Sequence, residues 1–345
     1  MTIKGKPTSL DIAHLAGVSQ PTVSRALSGS PMVNEETRKR ILAIAGQLNY
    51  KVDKNASNLR RQHSGTLALL FFEDPTPDDS AINPFFLSML GSITRACGQR
   101  GYDLLISFQQ ACEDWQAEYE DSHKADGIIL LGYGDYLESQ ARLQKLADQG
   151  THFVRWGSPS PDQTGVSIGC DNHRGGHEMT AHLLAGGRRR IAFLGNASDH
   201  YPEFLERYRG HVDALREAGL QAPAALQVDA ITTEQSGREA ATTLLERGEA
   251  FDAVFCGSDL IAIGAMRALK ERGLDVPGDV AVAGFDDIPM ASLVTPALST
   301  VQQDTRLAGT ILVESLLRLV RGEAVENQAI PARLMPRAST GAASS

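Results

Sequence analysis

Short, continuous apolar runs begin at residue 65 and alternate with segments of helical periodicity. Continuous apolar runs are typical of strands buried on both faces of a sheet. The first series predicts strands at 66–72, 102–107, 127–131 and 152–154, with helices at 85–98, 115–124 and 137–149. This alternation predicts a parallel, doubly wound α/β sheet.

A second series of the same kind follows the prolines at 159 and 161. Its predicted strands lie near 166–167 and at 190–194, 226–229, 253–256 and 280–284, and its helices at 174–185, 205–218, 233–247, 260–272 and 304–321. Two α/β lobes with a cleft between them are therefore expected. Ligands of such sheets bind beyond the carboxyl ends of the strands. Residues 338–345 are small and polar, and we expect a frayed tail there.

The N-terminal segment has a different pattern, which predicts two short helices joined by a tight turn. Thr8 and Asp11 have capping-box spacing and open a helix that runs to about Ala16. Gly17 permits the turn, and Ser19 is a good N-cap for the second helix. Together they predict a helix-turn-helix.

The second helix has one apolar and one polar face. Val23, Ala26 and Leu27 face inward, and Ile12 and Leu15 of the first helix can pack against them. The outward side chains are mostly uncharged hydrogen-bonding groups: Gln20, Thr22, Ser24, Arg25 and Ser28. Such a face suits the major groove of DNA, where Gln pairs with adenine and Arg with guanine. An ordinary solvated surface helix is the alternative.

A third helix is predicted after Asn34, which is a good N-cap. Its apolar stripe closes a small three-helix core and consists of Ile41, Ile44, Ala45 and Leu48. Three basic residues near its start either face solvent or contact phosphates: Arg38, Lys39 and Arg40.

Charge is divided unevenly along the 345 residues, whose formal net charge is −9. Residues 1–64 hold ten Lys or Arg and four Asp or Glu, a net charge of +6, so the remainder carries −15. The basic head is therefore the part expected to meet a polyanion. Within it, residues 51–64 are polar and basic, and they are expected to form a linker or a helix that orders only on pairing.

Composition narrows the function classes further. The length fits two or three domains, and no apolar run is long enough to span a bilayer. A signal-peptide pattern is also absent, which predicts a cytoplasmic protein. The four cysteines are widely spaced and are expected to be reduced thiols: Cys97, Cys112, Cys170 and Cys256. We expect no metal site and no cofactor, and because neither a phosphate loop nor a paired nucleophile and base occurs, we expect no enzyme.

Short motifs in a fixed order add a specific resemblance. They are DIA at 11–13, AGVS at 16–19, TVSR at 22–25, Val33, TR at 37–38, LNY at 48–50, NPFF at 83–86, GY at 101–102, DGII at 126–129, DN at 171–172, GG at 175–176, RYRG at 207–210, CGSD at 256–259, GFDD at 284–287, PALSTV at 296–301 and Gln303. Up to about Arg337 the chain resembles the LacI/GalR family of bacterial transcription regulators.

The resemblance implies three parts. Residues 1–50 would form the helix-turn-helix DNA-binding domain, residues 51–64 the hinge, and residues 65–345 a periplasmic-binding-protein-like domain for effector binding and dimerisation. Lobe 1 would comprise about 65–161 and 293–322, and lobe 2 about 162–292 and 323–338.

Members of the family bind pseudo-palindromic operators as homodimers or as tetramers built from dimer pairs. By resemblance, Gln20, Pro21 and Arg25 would contact base edges, and Ser19, Thr22 and Ser24 phosphates. The hinge helix would bring Asn55, Ala56 and Leu59 to the minor groove, with Leu59 as the wedge between base pairs. Pro21 departs from the family pattern and offers only van der Waals contact, so the base pair facing it is not specified.

The effector would lie between the lobes. By resemblance, Arg207 and Asp286 would contact it, a pair that suits a polyhydroxylated ligand. The other candidate ligand contacts are Phe86, Trp156, Ser258 and Asp259. For each of them the alternative is an interlobe salt bridge or a helix cap. Residues 108–126 are fewer than the family pattern has, so we expect the second helix of the first lobe to be truncated.

The function implied is a sequence-specific repressor of carbohydrate-utilisation genes, controlled by a small sugar and acting in the bacterial cytoplasm at the nucleoid. The alternatives are an effector-activated or corepressor-dependent regulator of another pathway, such as nucleobase metabolism, and a solute-binding protein. The sequence leaves open the effector, the direction of its effect, the operator, the target genes and the choice between dimer and tetramer.

Overall fold

The chain divides into two units between Ser64 and Gly65. The structure, a computed structural model, describes residues 7–50, 63–71, 82–108, 114–132, 134–159 and 163–341. The predicted hinge contacts Asn55, Ala56 and Leu59 lie outside these residues.

The described residues of the first unit form three helices: α1 (Ser9–Ala16), α2 (Gln20–Leu27) and α3 (Glu35–Gln47). The predicted capping box is present, since the Asp11 amide donates to Thr8 Oγ1 at 3.3 Å and the Thr8 amide donates to Asp11 Oδ2 at 2.8 Å. Gly17 ends α1 with φ +65°, a conformation that glycine adopts without a Cβ clash. Asn34 accepts the Thr37 amide hydrogen at 2.8 Å and starts α3. The caps predicted at Thr8 and Asn34 are therefore confirmed, whereas Ser19 occupies the N-cap position of α2 without a side-chain cap hydrogen bond.

The core of this unit is formed mainly by Ile12, Val23 and Ile41, whose side chains are fully buried. The expectation that Leu15 packs against α2 is wrong, because Leu15 is 52% exposed. The buried face of α1 consists of Ile12, Ala13 and Ala16. Leu15 lies beyond the edge of that stripe, so this eight-residue helix buries only one narrow face.

The second unit contains twelve strands and seven α-helices among its described residues. The strands are β1 (Thr66–Phe71), β2 (Asp103–Phe108), β3 (Ile128–Leu131), β4 (Phe153–Trp156), β5 (Val166–Cys170), β6 (Ile191–Leu194), β7 (Gln227–Val228), β8 (Ala253–Cys256), β9 (Ala281–Ala283), β10 (Thr300–Gln302), β11 (Gln328–Ile330) and β12 (Arg333–Met335). The helices are α4 (Pro84–Gln99), α5 (Tyr136–Asp148), α6 (Asn172–Ala185), α7 (Pro202–Glu217), α8 (Glu234–Glu246), α9 (Asp259–Glu271) and α10 (Thr305–Val320).

These elements form two parallel sheets. The first has the strand order β11-β5-β4-β3-β1-β2, and the second has the order β7-β6-β8-β9. Every residue of β3, β4, β6 and β8 is buried, as the continuous apolar runs predict. The predicted two-lobed α/β architecture is confirmed. The first lobe contains the first sheet with α4, α5 and α10, and the second lobe contains the second sheet with α6 to α9.

The division between the lobes differs from the expected one. Strand β5 was expected to open lobe 2 but pairs with β4 in the first sheet, where Trp156 is opposite Ile168. Strand β11, also expected in lobe 2, pairs with β5. The apolar pattern locates a strand, but it does not say which sheet the strand joins.

Three connections link the lobes in the described part of the chain. The first runs from β5 to α6, the second from β10 to α10, and the third from β11 to β12. Strands β10 and β12 pair antiparallel, and the bridges Ala283 to Ser299 and Asp286 to Gln302 join this ribbon to the second lobe.

Two smaller expectations have different outcomes. The second helix of the first lobe is shortened, as expected, to the π-helix Gln116–Asp121. The expected frayed tail is wrong for Ala338–Thr340, which form a short 3₁₀ helix. The Ser339 hydroxyl is buried, donates to the Val282 carbonyl at 2.6 Å and accepts from the Ser299 amide at 2.8 Å. Small polar residues here satisfy buried backbone groups.

Cysteines Cys97, Cys170 and Cys256 are buried free thiols, as predicted, whereas Cys112 lies outside the described residues. Among the residues that the structure describes, no helix is long and apolar enough to cross a membrane.

His211 on α7 is a fully buried histidine in the second lobe. Its Nδ1 lies 3.0 Å from Thr180 Oγ1 on α6, and its ring is 5.9 Å from that of Phe193. Burial lowers the pKa of His211 to about 3, against a small opposing effect from its hydrogen bond to the Ile191 backbone. The native state therefore holds a neutral imidazole at neutral pH.

We expect the free energy of unfolding to fall as the pH drops from about 6.5 toward 3, because only the unfolded chain protonates His211 in that range. One such proton contributes about 1.4 kcal/mol per pH unit. Urea denaturation between pH 7 and 5 should show a shallower slope in His211→Gln than in the wild type, by at most this amount per pH unit. The exposed-site variant His123→Asn is the control and should keep the wild-type slope. An unchanged slope in His211→Gln would contradict the assignment.

Candidate functional site

The polar face of α2 presents most of the predicted DNA contacts to solvent. Ser19, Pro21, Ser24 and Arg25 are exposed, and Gln20 and Thr22 are half-buried. Pro21 lies in the first turn, where its missing N–H is not needed. The Ser19 side chain makes no cap hydrogen bond to the helix, and its hydroxyl instead lies 2.9 Å from that of Thr22.

Gln20 is oriented by a residue that the sequence argument did not assign to the site. Its Nε2 donates to Ser9 Oγ at the start of α1, at 3.0 Å. This contact places the Gln20 amide at the edge of the polar face between the two helices. The only sequence signal for this contact is a hydroxyl residue at the start of α1, eleven positions before Gln20.

The three basic residues of α3 have different environments. Arg38 donates to the Ser30 and Val33 carbonyls and so holds the loop between α2 and α3. Lys39 and Arg40 are exposed. Arg38 therefore has an internal role, and the proposed phosphate contacts rest on its two neighbours.

Arg207, on α7 of the second lobe, is fully buried. Its Nε donates to Asn172 Oδ1 at 2.9 Å, and its Nη1 donates to the Gly257 carbonyl. Nη1 also lies 3.7 Å from Asp286 Oδ1, and the guanidinium is 3.9 Å from the centre of the Phe285 ring. The structure therefore brings together the two residues expected to act as a pair.

Two glycines allow α6 and α7 to approach closely enough for this arrangement. A Cβ at Gly176 would lie 2.1 Å from the Arg207 carbonyl oxygen, and a Cβ at Gly210 would lie 2.0 Å from the His173 carbonyl oxygen. No side chain larger than hydrogen fits at either position. The close helix contact brings Asn172, at the start of α6, against the Arg207 side chain.

Asp286 follows β9 in an unusual backbone conformation, with φ +116°. Its amide donates to the Val301 carbonyl at 2.8 Å, and its Oδ1 accepts from Gln303 Nε2 at 2.6 Å. The carboxylate is thus held between the second lobe and the segment that leads back to the first lobe. Uncommon φ values of this kind concentrate at functional sites and switch regions.

Ser258 and Asp259 are engaged inside the protein. Ser258 Oγ caps α9 by accepting from the Ile261 amide at 3.3 Å, and it also accepts from Thr232 Oγ1 at 2.9 Å. Asp259 accepts from Thr300 Oγ1 at 2.5 Å and from the Ile288 amide at 2.8 Å. Burial, reinforced by the nearby Asp286 carboxylate, raises the pKa of Asp259 well above its usual range. These contacts match the cap alternative, and ligand contact by either residue stays a prediction.

The aromatic candidates Phe86 and Trp156 flank Phe85, whose ring centre is 5.2 Å from that of Phe86 and 6.0 Å from that of Trp156. Both are buried. Trp156 also lines a cavity together with Tyr136, Arg155 and Glu203. Phe86 is not part of that lining, so its stacking role stays a prediction.

The cavity lies where the lobes meet, between the ends of β3 and β4 and the first turn of α7. The lobes are joined beside it, because the Tyr136 amide donates to the His200 carbonyl at 2.9 Å and His200 Nδ1 lies 2.7 Å from Asp135 Oδ2. The Ser158 amide donates to Glu203 Oε1 at 2.8 Å. Glu203 is one helical turn before Arg207, so the cavity and the Arg207 pair share α7.

Sequence reasoning missed Arg155, Glu203 and Asn172. A signal existed for Arg155, since it is the only charged residue in the otherwise apolar β4. Glu203 lies in the first turn of α7, where an acidic residue is also explained by the helix dipole. The sequence alone therefore does not single it out.

Comparison with known proteins covers both units. Residues 8–53 match the family described as bacterial regulatory proteins, lacI family, and residues 180–340 match a periplasmic binding protein-like domain. The HTH-type transcriptional regulator CelR of Thermobifida fusca is 31% identical over 340 residues, which are 97% of each chain. The ribose operon repressor of Escherichia coli (strain K12) is 29% identical over 325 residues, 93% of this chain and 95% of the repressor.

Solved structures show the same architecture. The lac repressor dimer bound to operator and the anti-inducer ONPF is 27% identical with a TM-score of 0.83, over 98% of this chain and all of the other. A complex of the regulator CelR with cellobiose is 29% identical with a TM-score of 0.72, over 96% of this chain and 99% of the other. With its helix-turn-helix and its two-lobed domain, the chain is a DNA-binding transcriptional regulator that belongs to the LacI family.

Proposed function

We propose that this protein is a repressor whose affinity for its operator is set by a small polyhydroxylated effector bound between its two lobes. The observation that carries the proposal is the buried Arg207 and Asp286 pair, 3.7 Å apart, with Arg207 on the same helix as Glu203, which lines an interlobe cavity. Guanidinium donors and carboxylate acceptors suit hydroxyl groups, which both donate and accept. The relative CelR has been solved with cellobiose, and another relative is a ribose operon repressor.

A regulator that binds operators must be in the same compartment as the bacterial chromosome. We therefore place this protein in the cytoplasm, bound to the nucleoid through its operators. We assign it no catalytic activity, since its family consists of transcriptional regulators.

Operator recognition is assigned to the exposed face of α2. Arg25 is the only charged side chain of that helix and is exposed, so it is the candidate for a bidentate contact with guanine. Gln20, held by Ser9, suits an adenine edge, and the ring of Pro21 can contact a thymine methyl group.

We expect Arg25→Ala to weaken binding to an operator selected from random duplexes by about 1–3 kcal/mol, roughly five- to 150-fold, because one bidentate base contact is lost. Affinity for random DNA should fall much less. Fluorescence anisotropy at fixed salt measures both. The control Arg216→Ala removes the same charge from the exposed surface of α7 and should leave both affinities unchanged. Equal losses on specific and random DNA would instead make Arg25 a phosphate contact.

A pseudo-palindromic operator requires two recognition helices, so we propose that two copies pair through the β2 edge of the first sheet. Strand β2 is the last in the sheet order. It exposes Leu105, Ile106 and Phe108 by 38%, 47% and 44%, and α4 exposes Leu87 by 54%. An apolar strand edge of this kind is a template for a second chain. The lac repressor, a relative of known structure, is a dimer when bound to its operator.

We expect Ile106→Lys to convert the dimer to a monomer in analytical ultracentrifugation, because a buried lysine would be introduced twice at the interface. Operator affinity should fall in the same variant. The control is Leu293→Lys, which replaces a 78% exposed leucine that directly follows the 3₁₀ helix Pro289–Ser292 and is not part of β2, and it should stay dimeric. A dimeric Ile106→Lys protein would refute this interface.

A further inference from the structure

Arg155 is a cation buried in an apolar strand. It lies on β4 between Val154 and Trp156 and is 5% exposed. Placing a guanidinium in such a position is strongly unfavourable unless charged or polar partners surround it. The partners of Arg155 therefore indicate which kind of ligand the site can bind.

The partners of Arg155 are incomplete in the part of the chain that the structure describes. One terminal nitrogen donates to the neutral amide oxygen of Gln163, and the guanidinium lies 5.2 Å from the centre of the Tyr136 ring. Among the described residues, its buried Nε has no hydrogen-bond partner and no carboxylate forms an ion pair with it. Burial lowers the pKa of Arg155 against the opposing effect of Glu203, but an arginine stays charged at neutral pH.

The space beside Arg155 is the interlobe cavity. A Cβ at Gly157 would lie 2.6 Å from Arg155 Nη1 and 3.1 Å from Glu203 Oε1, so the two charged groups approach each other over a glycine that gives them room. They come from different lobes, β4 and α7. Tyr136 and Ser139, in the first turn of the 13-residue α5, also line the cavity. The positive end of that helix dipole favours an anion, although its own cap Asp135 offsets part of the effect.

Glu203 acts as a hydrogen-bond acceptor and not as an ion-pair partner of Arg155. Its Oε1 accepts the Ser158 amide hydrogen, which leaves Oε2 to accept from a hydroxyl group. The cavity therefore offers a cation without a bound carboxylate, an acceptor on the opposite lobe, and the apolar face of Trp156.

We propose that the effector is a polyhydroxylated anion whose carboxylate or phosphate group binds Arg155 and whose hydroxyl groups reach Glu203. This inference rests on the proposed effector control. The negative group completes the partners of a buried guanidinium, and the shared chemistry is that of sugar acids and sugar phosphates. Neutral sugars of the same shape would leave Arg155 without a counter-charge and would bind more weakly.

The test is a thermal-shift titration of the full-length protein with aldoses and, for each, the matching uronic acid, aldonic acid and phosphate ester. Every ligand that raises Tm is then titrated against the operator complex. We expect an acid or a phosphate ester to bind at least tenfold more tightly than its neutral parent, in line with a charged hydrogen bond. The carboxylate and phosphate arms identify which anion the site takes.

Variants test whether Arg155 causes the preference for an anionic ligand over its neutral parent. Arg155→Gln should lose the preference for the anion while keeping its operator affinity without ligand, and Arg155→Lys should keep part of it. Arg142→Gln, which removes a guanidinium stacked 5.0 Å from the Trp115 ring, is the matched control and should bind as the wild type does.

Three results would overturn the proposal. They are neutral parents that bind as tightly as their acids, an anion preference that survives in Arg155→Gln, and inorganic phosphate alone that gives the full shift in Tm. In the first two cases a ligand still controls operator binding, so the proposed function stands. If neither neutral nor anionic ligands change Tm or operator affinity, the effector control itself fails.

Discussion

The second unit is organised around one buried charge, the Arg207 guanidinium. A charge without solvent must be enclosed by partners, and each partner here comes from a different element. Asn172 lies at the start of α6, Gly257 follows β8, and Asp286 follows β9. If one of these elements moved away, the buried guanidinium would lose one of its three partners. The cluster therefore constrains two strand ends and two helices, α6 and α7, at the same time.

The same carboxylate connects this cluster to the segments between the lobes. Asp286 is held by Gln303, just before α10 of the first lobe, and its amide bonds to β10. Asp259 binds Thr300 on the same ribbon, and Asp287 pairs with Arg337 at 2.6 Å. The ribbon of β10 and β12 is thus joined to the second lobe by side chains as well as backbone. A ligand that contacts both lobes beside Arg207 would act on groups that are already joined to the interlobe connections. Such a ligand shifts the equilibrium between two conformations of the protein only as far as its affinities for the two conformations differ.

Most of the fold was predicted from local sequence signals. The pairing of strands and the burial of individual side chains did not follow from those signals. Thr8 with Asp11, and Asn34, mark helix starts because a cap is a contact between residues three apart. Strand β5 was recognisable as a strand, but its pairing with β4 instead of the second sheet depends on packing between distant segments. Leu15 was misplaced because a short helix buries a narrow stripe. The pairing of Arg207 with Asp286 came from the resemblance, whereas Arg155 emerged only from burial and missing partners.

Reciprocal linkage measures whether an effector bound between the lobes controls operator binding through the Arg207 cluster. Operator affinity is measured with and without saturating effector, and effector affinity with and without saturating operator, in the wild type and in Arg207→Gln. Thermodynamic linkage requires the two factors to be equal, and couplings of this kind are typically about five- to 150-fold. We expect factors of this size in the wild type and a factor of one in an Arg207→Gln protein that still binds operator. An effector that binds the free and the operator-bound wild-type protein equally well would contradict this expectation.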